Sequence, residues 1–389
     1  MSCPSPPPRA AHTTLRALLL STTLLDELTI GFLVVGLPLL RERLHFGYAQ
    51  AGFVFTFGAL VSLAVEPFVN LLADRGSKRT PILLGMAGVV AGFALAGAAP
   101  SYVWLLAAFA LISPACGVAV GLAEAALVDL DPAAAGRTMA RWALSGAAGD
   151  LLAPACVGVL TAAGLRWPAL SAAAACCWLA LLATTWPLRF PASHTAAEQE
   201  SEMSTAATLR AALGDRVLLR WAAVEVAAIM MDEVFLAFAA LYLRDRLHAS
   251  PALLGFSLLP GTLAALLALA ALERVGQRLP HRPMLTAMAL AALGGIALLL
   301  LAPSLPAAVP GLVVAQAGAA GWYPIARAAA FARYPGRSGL VRAVLSVTDP
   351  FELVLPTIVG FVAAGAGIRG AVAFLGLAPL LVLAAAPRD

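Results

Sequence analysis

The chain has 389 residues, of which 61% are hydrophobic and 12% charged, with a mean hydropathy of +0.90. A water-soluble domain carries about 25% charged residues, so this composition excludes an ordinary soluble enzyme or binding module and points to the lipid bilayer as the solvent. A net charge of +4 and a pI near 9.0 would suit nucleic acid if the charges clustered, but the basic residues are scattered over short loops and form no nucleic-acid face.

Residues 1–16, with "PSPPPR", read as a disordered tail. Beyond them, apolar stretches of about 20 residues, the length that crosses a hydrocarbon core, recur twelve times. They lie at roughly 17–40, 48–72, 81–99, 102–128, 139–164, 167–187, 218–243, 252–273, 283–302, 308–331, 341–364 and 369–386. The first is too long for a signal-peptide core, holds two acids and lacks a small-residue cleavage site, so it is expected to stay as a span. Only 188–216 is long and polar enough to link two domains, and it follows six spans. The expected layout is a tail at 1–16, a six-helix bundle at 17–187, a cytoplasmic linker at 188–216 and a second bundle at 217–389. With both termini inside, 18 of the 25 Lys and Arg fall in cytoplasmic segments and six outside, as the positive-inside rule requires.

The loop after the first span reads "RERLHFGYAQAG" (41–52), and after the seventh "RDRLHASPALLG" (244–255). Over 41–60 and 244–263, nine of twenty positions are identical, including Arg41/Arg244, His45/His248, Gly52/Gly255 and Gly58/Gly261. "DLLAPACVG" (150–158) likewise matches "ELVLPTIVG" (352–360), keeping Pro154/Pro356 and Gly158/Gly360. Two copies of one unit, six spans apart, enter the membrane in the same direction. Such parallel repeats about an axis along the membrane normal are one of the known transporter plans.

Two motifs carry a family resemblance. "NLLADRGSKR" (70–79) resembles the loop 2–3 signature of the major facilitator superfamily, G-x-L-A-D-R-x-G-R-K, through Leu72, Ala73, Asp74 and Arg75, with Lys78 and Arg79 in the basic places. Asn70 and Ser77 stand where that signature has glycine. Its counterpart "LERVGQR" keeps Gly276 but has Glu273, followed by Arg274, for Asp-Arg. The resemblance implies a cytoplasmic gate made of Asp74, Arg75, Lys78, Arg79, Glu273 and Arg274. "GDLLAPACVG" (149–158) is similar to the antiporter motif G-x-x-x-G-P-x-x-G-G through Gly149, Pro154 and Gly158, with Ala153 and Val157 in place of glycines. That likeness implies exchange of substrate against protons. "YAQAG" and Glu124 resemble the drug:proton antiporter and fosmidomycin-resistance-like branch, although Leu122-Ala123-Glu124 stands where the branch has His-Pro-Glu. The fold implied is an all-α membrane protein with two parallel-repeat six-helix bundles, functional as a monomer.

An acid at the bilayer centre costs about 2.5–3.5 kcal/mol on insertion scales. A span keeps one only where it meets water, another charge or a function. Asp26 and Glu27 lie about 14 Å into the first span, with Asp150 in the fifth, Asp232 and Glu233 in the seventh, and Glu352 in the eleventh at similar depth. Burial favours the protonated form of a carboxyl, which suits a proton relay. If instead these acids are structural, arginines should neutralise them, and Arg327, Arg141 and Arg342 are the candidates. Excess carboxylate favours a cationic or neutral amphipathic substrate, whereas Arg327 would serve an anion. A divalent metal as cargo at Met230-Met231-Asp232-Glu233 is a further alternative, as are a proton-coupled importer, a passive facilitator and a non-transporting sensor of the same fold.

No enzyme site is evident. The five histidines fall in loops or the tail, no phosphate-binding loop occurs, and the cysteines (3, 116, 156, 176 and 177) lack metal-ligand spacing and read as reduced packing residues. No cofactor is expected. The expected partners are a small-molecule substrate, protons and the lipid bilayer. The topology is tested by cysteine labelling: a cysteine at Ser204 should react only from the cytoplasm and one at Gly47 only from outside, and cytoplasmic labelling at Gly47 would overturn it.

Overall fold

The computed structural model describes residues 9–74, 78–130, 135–188, 190, 214–275, 280–333, 345 and 348–387. Fifteen helices and no strand occur among these residues: α1 Arg9–Val35, α2 Leu37–Leu44, α3 Tyr48–Asp74, α4 Arg79–Ala98, α5 Tyr102–Leu130, α6 Ala135–Ala162, α7 Trp167–Thr185, α8 Arg216–Met230, α9 Glu233–Asp245, α10 Pro251–Val275, α11 His281–Leu301, α12 Leu305–Ala319, α13 Trp322–Arg333, α14 Asp349–Leu375 and α15 Leu377–Ala385. In hydrocarbon every backbone donor and acceptor must be satisfied within the segment, and a helix does this by itself.

Several expected spans are two helices in line. Gly36 separates α1 from α2, where Pro38 near the N-terminus of α2 cannot supply a helical N–H to the preceding turn. Asp232, with φ −93° and ψ −127°, separates α8 from α9. Among the described residues eleven stretches are long and apolar enough to cross a membrane, and the last of them, Pro350–Ala385, has 36 residues. Gly367, at φ 75°, breaks it near its middle. Two arms of about 27 Å result, which are the eleventh and twelfth expected spans. Of the eleventh, 341–344 and 346–347 lie outside the described residues, as do 191–213 of the expected linker and 1–8 of the expected tail. Helix α1 starts at Arg9, inside that tail.

The residues gather in two compact units. Unit 1 comprises 1–33, 57–153 and 164–197; unit 2 comprises 34–56, 154–163 and 198–389. Unit 2 therefore contains pieces of both sequence repeats.

Packing within each unit follows the repeat. In unit 1, α4 packs on α5 and α7; in unit 2, their counterparts α11, α12 and α15 meet in the same pairs. Lipid tails are as apolar as leucine, so association rests on close van der Waals fit through small residues. A methyl group at Gly85 of α4 would lie 2.8 Å from the Ala115 carbonyl oxygen of α5. At Gly295 of α11 it would collide with the Ala315 amide and lie 2.7 Å from the Gly311 carbonyl oxygen of α12. Indole and hydroxyl groups tie α7 to its neighbours: Trp167 Nε1 donates to the Ala96 carbonyl (3.0 Å), Ser171 to the Phe93 carbonyl (2.6 Å), and Trp178 Nε1 to Thr29 Oγ1 (3.1 Å). Large apolar side chains such as Leu63, Phe68, Leu84, Val103 and Leu301 are exposed, which in a chain of this hydropathy is a lipid-facing surface.

Neighbouring glycines provide a test. Nothing lies within 4 Å of a methyl at Gly294, so Gly294→Ala should hold or raise thermal stability through helix propensity. Gly295→Ala should lower it by about 1–3 kcal/mol, the cost of overpacking. Equal melting temperatures for the two variants in detergent would contradict the packing described.

Candidate functional site

In unit 1 the first helix is held by the sixth. A methyl at Gly149 of α6 would press on the Leu24 carbonyl and lie 2.9 Å from Glu27 Cβ and 3.0 Å from the Leu28 amide of α1. Gly146, one turn earlier, is 3.1 Å in the same sense from Thr23 Oγ1, and Ser145 Oγ donates to the Leu20 carbonyl at 2.8 Å. The two backbones run flush, which is what Gly149 of the antiporter-like stretch achieves, and this contact fixes the height of Asp26 and Glu27. Asp150 follows Gly149 and is exposed.

Asp26 is half-buried, and its Oδ1 is buried without a hydrogen-bond partner. The Cys116 thiol on α5, itself buried, is hydrogen-bonded to the Asp26 carboxyl. Two more carboxyls lie within electrostatic reach of that thiol: Glu27 and Glu66, the latter on α3. Glu66 is hydrogen-bonded to Ser62 and occupies the space above Gly117, where any side chain would collide with its carboxylate. Of the three carboxyls, Asp26 alone bonds the thiol, Glu66 lies over the adjacent Gly117, and the Glu27 side chain packs on Gly146 and Gly149 of α6. Glu124 stands half-buried about two turns further along α5.

Unit 2 holds a second polar group of different character. Arg327 Nε on α13 donates to Glu225 Oε1 on α8 at 2.7 Å, and its guanidinium lies over the Tyr323 ring at 4.6 Å. Glu225 is only 3% exposed, whereas the Arg327 side chain is 44% exposed. The other Glu225 oxygen, Oε2, is buried with no partner. Glu352 lies within electrostatic reach of Arg327 and Tyr323, and Asp232 within reach of Tyr323. Asp232 sits at the break between α8 and α9 and Glu233 in the first turn of α9, where the helix dipole favours a carboxylate. Asp232, Glu233 and Glu352 are all exposed. Among the described residues no three His, Cys, Asp or Glu side chains are placed to hold a metal ion.

Of the expected gate residues, Lys78 Nζ donates to Asp129 on α5 at 2.6 Å, and Arg79 donates to the Leu188 and Trp186 carbonyls past α7. These two cations therefore anchor the loop to unit 1. Asp74 ends α3 and Glu273 lies in the last turn of α10, but their side chains are outside the described residues, as is the whole of Arg75; Arg274 is exposed. Pro154 and Gly158 lie against α10: a methyl at Gly255 would meet the Pro154 carbonyl and be 2.8 Å from Gly158 Cα.

The expected acids therefore fall into two local clusters: Asp26 and Glu27 in one, Asp232 and Glu352 with Arg327 in the other. Sequence reasoning missed Glu66, Cys116 and Glu225. The signal for Glu225 was available, since a lone arginine within a span demands an acid near the same end of another span of its own bundle.

A family model for the Major Facilitator Superfamily matches residues 19–349, and the chain belongs to that family. It is a multi-pass membrane transporter of that superfamily. Among solved structures, it is similar to a bacterial homologue of the human lysosomal transporter Spinster, inward-facing and unoccupied (TM-score 0.76, 14% identity, 97% of this chain and 98% of that one). It is also similar to the nucleoside transporter NupG (TM-score 0.75, 14% identity, 97% and 98%). At this identity the likeness is one of fold.

Arg327→Leu leaves a buried carboxylate unpaired and should cost about 1–3 kcal/mol or more. The double variant Arg327→Leu/Glu225→Leu should regain most of that loss. Thermal melting in detergent checks it, and a double variant no more stable than the single one would contradict the pairing.

Proposed function

We propose that the protein exports a small molecule across the cytoplasmic membrane by alternating access, driven by proton entry, as a monomer with both termini inside. The observation that carries this is the carboxyl cluster of unit 1. Asp26 is hydrogen-bonded to the Cys116 thiol in a membrane-spanning bundle, with Glu27 and Glu66 within electrostatic reach of that thiol, and an Asp26 oxygen has no partner. Such a cluster suits a group that takes up and gives off a proton as access alternates. Asp150 and Glu124 are further proposed acids of unit 1, and Asp232, Glu233 and Glu352 those of unit 2.

Export rather than import is supported by the antiporter-like stretch. Its small residues make two backbone-close contacts, Gly149 on α1 and Pro154–Gly158 against Gly255 of α10. A place in the drug:proton antiporter branch fits this reading. Asp74 and Arg75, with Glu273 and Arg274, are the proposed moving part of the cytoplasmic gate, and Lys78 and Arg79 its fixed anchor. The acid-rich lining favours a cationic or neutral amphipathic substrate, and Arg327 over Tyr323 offers a partner for an acidic substituent.

Transport into inside-out vesicles under an imposed pH gradient, with a chemically diverse panel, tests this. Asp26→Asn and Glu66→Gln should lose gradient-driven accumulation by tenfold or more while keeping exchange at equal pH. Wild-type accumulation rates in both variants would leave a passive facilitator as the better account, and uptake that runs with the proton would make the protein an importer.

A further inference from the structure

The duplicated loop has a use that neither copy has alone. Arg41 in the first copy donates to Asp245 in the second, and Arg244 in the second donates to Glu42 in the first. Arg41 and Arg244 occupy equivalent places in the repeat, as do Glu42 and Asp245. The two ion pairs are thus the same contact made twice, with the roles of the copies exchanged. All four residues lie in unit 2.

The local backbone has the same shape in both copies. His45 and His248 both adopt φ 54°, the left-handed conformation, and they are the only non-glycine residues with positive φ among the described residues. Histidine is among the residues enriched in that region, which explains why the repeat keeps His and not only the charges. The turn sets the two arginines of each copy at the end of its helix, α2 or α9. Tyr48 adds to the first pair: its hydroxyl donates to Asp245 at 2.6 Å and its ring carries Arg41 at 4.2 Å. Arg244 is braced instead by the Ala249 carbonyl at 2.6 Å.

Deeper in unit 2 the exchange of roles continues with glycine and proline. A methyl at Gly52 of α3 would collide with the Pro356 carbonyl of α14 and lie 3.1 Å from Thr357 Cα; one at Gly255 of α10 would collide with the Pro154 carbonyl of α6. Gly52 corresponds to Gly255, and Pro356 to Pro154. Thr357 Oγ1 donates to Thr56 Oγ1 at 2.8 Å, and Thr56 Oγ1 to the Leu353 carbonyl at 2.9 Å. A charged rim and a dry glycine–proline seam are therefore built from four matched pairs of duplicated residues.

We propose that the Arg-x-Arg-Leu-His copies form a self-complementary latch that shuts the outer face, each copy being the binding partner of the other. The side chains of the quartet are 22–44% exposed, so water can solvate the charges when the pairs part. The seam beneath has no ionised group and sets the distance at which the rim can engage. The word "outer" rests on the proposed topology; the latch itself rests on the reciprocal contacts.

Spin labels clicked onto non-canonical residues at Gly47 and Ser250, equivalent exposed positions of the two copies, leave the native cysteines untouched. Distances between them in lipid nanodiscs report the latch without substrate or proton gradient, so the outcome is independent of proton-coupled export. Arg41→Glu should raise the long-distance population at least threefold, and Arg41→Glu combined with Asp245→Arg should restore the wild-type distribution. Arg246→Glu, an exposed charge of the same loop outside the quartet, should change nothing. The proposal is overturned if Arg41→Glu leaves the distribution unaltered, if the paired reversal fails to restore it, or if Arg246→Glu opens the face equally. Glu42→Arg with Arg244→Glu repeats the test on the other pair should an Arg41 variant fail to fold.

Discussion

An ionised side chain carried into hydrocarbon must find water, an opposite charge or a proton, because each one costs about 2.5–3.5 kcal/mol to insert. This protein satisfies that constraint in three different ways, and its architecture can be understood from where each is used. Glu225 finds a cation, Arg327, held within one bundle by helices α8 and α13. Asp26 finds the Cys116 thiol as a hydrogen-bond partner and has an oxygen left over. The charges of the duplicated loop find one another at the ends of their helices, where they are 22–44% exposed.

The magnitudes suit these different places. Leaving the buried Glu225 carboxylate without Arg327 costs about 1–3 kcal/mol or more, so this contact belongs to parts that stay together. Partly exposed pairs are worth about 0.2–1 kcal/mol each, small enough to be made and parted in every transport cycle. Tight helix contact through glycine and backbone, as at Gly295 against Gly311 or Gly149 against Leu24, stiffens each unit.

Much of this was legible in the residues. Hydropathy located the spans, including the eleventh and twelfth, whose separation the structure marks at Gly367. The repeated Arg-x-Arg-Leu-His announced two copies of one unit, but sequence alone offered no reason for conserving charge in both, since the pairing is between copies 203 positions apart. Helix breaks at Asp232 and Gly36 escaped notice because a span of uniform apolarity hides a local departure from helical geometry. Glu66 was invisible for another reason. It lies near the end of its span, where an acid looks topological, and only the room over Gly117 carries it towards Cys116. The gate charges showed the limit of motif reasoning in a different way, with Lys78 and Arg79 satisfied by Asp129 and backbone carbonyls of their own unit.

The proposed exchange of a proton at Asp26 for substrate is tested most directly by proton release on binding. Purified protein in weakly buffered detergent would receive members of a substrate panel while an indicator dye follows pH. The account predicts that a transported substrate releases protons in proportion to the protein present, and that Asp26→Asn reduces the release at least by half. Substrate that binds with the same affinity at every pH and releases no proton would contradict it.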